Sequence, residues 1–184
     1  MAEQPTTPPP DDKDWTWVLA RPCPDCGYDA SAVLRGDLPA RTLAAAGTIR
    51  ARLGRDDAAV RPEPGVWSAL EYAAHVRDVC RVFGARLSMM RGVENPQFPN
   101  WDQDETALTE RYWEQDPVVV SAELDDESTR IAADFASVTD DEWDRSGTRS
   151  NGSIFTVETL GKYFVHDLVH HLHDVGRPLI PNGN

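Results

Sequence analysis

Four stretches of the chain carry apolar residues at helical spacing. Asp37 reads as an N-cap, with Leu38-Pro39 opening a helix to about Leu53 and Gly54 ending it. Ser68-Ala69-Leu70-Glu71 has the form of a capping box. The helix behind it continues through Val76, Val79, Phe83 and Leu87 to Met90-Arg91, with Gly92 as the stop. Asp116-Pro117 opens a third helix to about Ser137, with Val120, Leu124, Ile131 and Phe135 on one face. Thr156 caps the last, in which Leu160, Phe164, Leu168, Leu172 and Val175 form an apolar stripe before Gly176-Arg177-Pro178. The loop from Gly92 to Trp101 carries two prolines, and Asp102 to Glu114 has no clear period. Thr139-Asp140-Asp141-Glu142 resembles another cap, but the Gly- and Ser-rich run after it reads as a mobile basic loop. No stretch alternates convincingly as a strand. The expected fold is all-α, a four-helix bundle in one domain.

The ends differ from this body. Residues 1–14 are polar and Pro-rich and read as a disordered tail. Residues 15–36 form an N-terminal segment with a CPDC turn, and residues 37–180 form the bundle. The length of 184 residues suits a single core. A net charge of −13, with only two lysines, argues against a nucleic-acid partner. No apolar run is long enough to span a membrane and no signal pattern is visible, so a cytoplasmic protein is expected. Three cysteines, an odd number, agree with a reducing compartment. Six tryptophans are placed to seal helix ends, and Trp67 or Trp101 could also stack on a substrate.

The chemistry concentrates in histidine. Four of five histidines fall between His166 and His173, and the fifth, His75, lies in the second helix. Residues four apart on a helix project from one face, so His166 and His170 can converge on one ion. At about 100° per residue, His166, His170 and His173 fall away from the apolar stripe, which puts them toward a groove, an edge or solvent. His171 and His173 read as solvent-facing or supporting residues. Asp78, Asp167 and Asp174 could orient a ligating imidazole. The plainer alternative is that His75 is a hydrogen-bonded structural histidine and the pair an exposed one.

Two stretches together, VWSALEYAAHVRDV (Val66 to Val79) and TVETLGKYFVHDLVHHLHDV (Thr156 to Val175), resemble the DinB-like (YfiT-like) superfamily of metal-dependent enzymes. That superfamily includes the N-terminal domain of mycothiol-dependent maleylpyruvate isomerase. The similarity spans about Leu38 to Val175 and leaves the CPDC segment unexplained. It implies a four-helix bundle holding a divalent ion through His75, His166 and His170, zinc foremost, with nickel or iron as alternatives. It also implies a small-molecule substrate, in some members a low-molecular-weight thiol. The expected reactions are metal-dependent hydrolysis or thiol transfer. The alternative is a non-enzymatic metal-binding or interaction bundle with a vestigial site. A homodimer is left open.

Cys23-Pro24-Asp25-Cys26-Gly27 has the form of a zinc knuckle, a redox dithiol, or a tight turn with two reduced thiols. A tetrahedral ion would need two further ligands from a histidine, an acidic residue, Cys80 or a second subunit. Cys80, between apolar neighbours, reads as core.

Overall fold

A computed structural model describes residues 5–9 and 13–176. Its long helices are α1 (Leu38–Leu53), α2 (Ala69–Gly92), α4 (Pro117–Ala136) and α5 (Val157–Val175), with a short α3 (Gln103–Thr109) between α2 and α4. α4 packs along both α1 and α2, and α5 packs along the same two helices. Leu38, Ile49, Leu70, Leu87, Leu124, Phe135 and Phe164 are fully enclosed between them. The expected four-helix bundle is therefore present.

The caps explain the helix starts. Ser68 Oγ accepts from the Glu71 amide at 3.3 Å, and Glu71 Oε2 accepts from the Ser68 amide at 2.8 Å. Glu71 also holds Arg61, which ties the loop before α2 to its first turn. Asp37 behaves differently: its carboxylate accepts from the Leu34 amide instead of capping α1. Gly161 allows close packing of α5, since a Cβ there would lie 2.6 Å from Leu38 Cδ1 and 2.9 Å from the Phe135 ring.

The bundle carries a small sheet that the sequence pattern did not suggest. β1 (Gln97–Phe98) pairs in parallel with β2 (Ser146–Arg149), which pairs antiparallel with β3 (Ile154–Thr156). The strands are two to four residues long, and the inward positions of β2 are Gly147 and Arg149, so no apolar alternation marks them. Gly147 lets the strand lie on Met90 and Phe98, each within 2.8 Å of where its Cβ would stand. Arg149 is buried, donates to Asn151 and Ser153, and lies over Phe155. The basic stretch is thus a hairpin with an inward arginine, not a mobile loop.

Residues 15–36 lie against the bundle. Trp15–Leu19 is a 3₁₀ turn capped by Asp14 and packed on α5. The Tyr28 hydroxyl donates to the Lys162 carbonyl at 2.7 Å. Within the Pro-rich stretch, the Thr6 carbonyl accepts from Arg61, and Pro8 and Pro9 line a cavity beside α5. The remainder of the expected tail, residues 1–4 and 10–12, and the bundle boundary at residue 180 with the Pro178 stop lie outside the described residues.

Candidate metal centre

The fold distributes the expected ligands between two groups. His75, on α2, is fully buried in a box of rings. Trp101 stacks on it at 5.5 Å with an interplanar angle of 9°, Trp67 lies at 5.4 Å, and His171 meets it edge-on at 4.6 Å. Its Nε2 lies 3.5 Å from Asp167 Oδ1, and His171 Nε2 lies 3.4 Å from the same oxygen. The ligand atoms of His75, Asp167 and His171 all fall within 4.8 Å of one another.

His75 Nδ1 and Nε2 and Asp167 Oδ1 are buried without a hydrogen-bond partner. The 3.5 Å approach is a long electrostatic contact, not a formed hydrogen bond. Each orphaned buried polar atom costs about 1–3 kcal/mol, and the orphaned His75 Nε2 and Asp167 Oδ1, which face each other at 3.5 Å, suit a shared cation. The electrostatics agree. Burial lowers the His75 pKa and keeps the ring neutral, the form that ligates a metal. Burial alone would raise the Asp167 carboxyl, but the facing imidazoles, His75 first, outweigh it and hold it at about 2. Two imidazoles and one carboxylate suit a divalent transition ion.

The second group is Cys23, Cys26, His166 and His170, again with ligand atoms within 4.8 Å of one another. Burial lowers the His166 pKa to about 4 and also lowers that of His170. His166 is enclosed and lines the cavity beside α5, which fits the groove among the groove, edge or solvent positions read from the helix projection. Trp15 and Tyr28, from outside the bundle, provide the cover, with ring centroids 5.8 and 5.4 Å away.

The set of His75, His166 and His170 is therefore divided, with His75 in one group and the other two in the next. The helix explains the division. α5 presents two i, i+4 pairs, His166/His170 and Asp167/His171, displaced by one residue and hence by about 100° around its axis. One pair faces the N-terminal segment and the other faces His75. Asp167 was expected as an orienting group and His171 as a solvent-facing or supporting residue; the signal that could have promoted them is their own four-residue spacing.

Other expectations resolve simply. His173 is exposed and Cys80 is core. Asp78 does not reach His75 as an orienting group; it accepts from Arg77, Arg81 and Tyr112. A cavity of about 240 Å³ runs past both groups, bounded by Trp15, Trp67, Tyr72, Asp167, His170 and His171 among others.

Among solved structures, the chain is similar to that of YfiT from Bacillus subtilis, described as "a probable metal-dependent hydrolase with an unusual four-helix bundle topology". The TM-score is 0.67 at 19% identity, over 76% of this chain and 83% of that one, a likeness of fold. No curated protein sequence matches significantly. The DinB superfamily model matches residues 38–175, three-quarters of the chain and all four bundle helices, and the chain belongs to that superfamily.

Proposed function

We propose that the protein is a metal-dependent hydrolase acting on a small molecule, with a divalent ion, zinc foremost, held by His75, Asp167 and His171. The observation that carries this reading is the convergence of orphaned buried atoms of His75 and Asp167 at the edge of a cavity. An ion held there would polarise a carbonyl and would ease deprotonation of a water or thiol.

The chain's own groups supply the rest. Trp67 and Trp101 fix the His75 ring and keep bulk water from it. Asp174 contacts His171 Nδ1 at 3.2 Å and orients the ring whose Nε2 faces Asp167. Asp104, in the cavity wall, supplies a carboxylate to accept a proton from an attacking group. The cavity volume suits a small substrate. Transfer of a low-molecular-weight thiol uses the same polarised carbonyl and is the companion reading, suggested by the family resemblance. With three free cysteines, a reducing cytoplasmic setting fits the protein.

The test is a panel of ester and amide substrates, with and without added thiol, on protein loaded with zinc, nickel or iron. Turnover by the wild type that falls to background in His75→Ala and Asp167→Ala supports the reading. Wild-type protein that binds the ion but turns over no substrate favours a binding bundle with a vestigial site.

A further inference from the structure

The CPDC turn lies outside the family-matched region, yet it meets the most histidine-rich part of that region. The turn is built tightly. The Cys23 amide donates to the Tyr28 carbonyl at 2.8 Å, and the Gly27 amide donates to the Cys23 carbonyl at 2.9 Å. Gly27 has φ of +73°, a left-handed conformation that suits glycine. This geometry puts both thiols on the side facing α5, where Cys23 Sγ lies 3.7 Å from His170 Nδ1. Cys23 is 1% exposed and His166 is 3% exposed. His166 Nε2 is buried without a hydrogen-bond partner, which a ligand would correct.

We propose that Cys23, Cys26, His166 and His170 bind a structural zinc ion that fastens residues 15–36 onto α5. Two sulfurs and two imidazoles from a CxxC turn and one helical turn are the donor set of closed tetrahedral zinc sites. Soft thiolates select zinc over magnesium, calcium or manganese. Binding replaces two S–H bonds by two zinc–thiolate bonds and releases two protons, with no change of oxidation state. All four corners are protein atoms, so this ion leaves no coordination position for substrate and acts by fastening.

The consequence reaches the cavity. Trp15 lies 4.9 Å from the His170 ring and forms part of the cavity wall, so the ion would hold one side of the substrate site in place. This site shares no ligand with the His75 group. Its failure would leave that group standing, and the reverse is also true.

The test uses full-length protein without a histidine tag, reduced, stripped of metal and titrated with cobalt(II). A Cys₂His₂ site predicts intense tetrahedral d–d absorption and thiolate-to-cobalt charge-transfer bands that saturate within two added equivalents, the His75 group taking its own share, and are displaced by zinc. The charge-transfer bands should weaken in Cys26→Ser and vanish in the Cys23→Ser/Cys26→Ser double variant, with secondary structure retained by circular dichroism, and persist in His75→Ala. Cobalt uptake by wild-type protein without charge-transfer bands would overturn the proposal. So would their loss in His75→Ala, or zinc-loaded wild type in which both thiols alkylate as fast as in unfolded protein. Because the wild-type spectrum alone can refute the site, a variant that fails to fold does not shelter it.

Discussion

Cys23 Sγ and His170 Nδ1, 147 residues apart in the chain, lie 3.7 Å apart in the fold. Nothing in the bundle's own packing requires that contact, since Cys23 belongs to a segment that precedes α1. The account predicts that chelation releases this segment. With a chelator present, chymotryptic cleavage after Tyr28, which is buried in the docked segment, should accelerate several-fold while helicity is retained, and zinc should restore protection. Equal cleavage rates in the zinc-loaded and chelated protein would count against the fastening role.

The carboxylate of Asp167 should matter as a ligand and not as a charge alone. Asp167→Asn keeps the shape and one oxygen but removes the anion. Metal affinity at the His75 group should fall about 10–100-fold or more, with the bundle intact by circular dichroism. An unchanged affinity in Asp167→Asn, measured by competition with a chelating dye, would show that the carboxylate is not a ligand.

The Asp78 network should set part of the acid limit of stability. Tyr112 donates to Asp78 at 2.5 Å, and Arg77 approaches both carboxylate oxygens, at 2.9 and 3.0 Å. Burial raises the Asp78 pKa, but these partners outweigh it and the net shift is downward from 3.8. A carboxyl with a depressed folded pKa stabilises fully above its unfolded pKa and loses that contribution as pH falls below it. Asp78→Asn should therefore cost about 3 kcal/mol near pH 7 in urea melts, by leaving Arg77 under-compensated. The difference from wild type should stay constant down to about pH 5 and shrink below about pH 4. A difference that grew on acidification would contradict the assignment.

Gly161→Ala should destabilise the bundle by about 1–3 kcal/mol through overpacking against Leu38 and Phe135. The expected effect is a lower urea midpoint with an unchanged slope. A neutral or stabilising result would show that α1 and α5 can separate without cost.

How much of this was legible depended on which physical signal each feature carries. Three of the four helices announce themselves through the caps Ser68, Asp116 and Thr156, and all four through apolar positions at helical period. The sheet was silent because Gly147 and Arg149 occupy the inward positions of a four-residue strand. At the site, residue type marked the histidines, and the family resemblance supplied His75, His166 and His170 as a set. What one helix projection could not supply was the identity of the neighbour facing each side. The pair His166/His170 faces residues 15–36, whose docking on α5 has no periodic signature, so the enclosure of His166 was hidden. The pair Asp167/His171 faces His75, and an aspartate beside a run of histidines draws less notice than its neighbours. A CxxC turn and an HxxxH helix were each visible alone. Their meeting is a tertiary fact.

The central claim is that α5 serves two separate ions through two adjacent i, i+4 pairs. Metal counting on purified, untagged protein after equilibration with zinc tests it most directly, comparing wild type, His75→Ala, His166→Ala, Cys23→Ala and the His75→Ala/Cys23→Ala double variant. The account predicts two equivalents in the wild type, one in each single variant and none in the double. A single equivalent in the wild type, retained in Cys23→Ala and lost in both His75→Ala and His166→Ala, would instead establish one three-histidine site and contradict it.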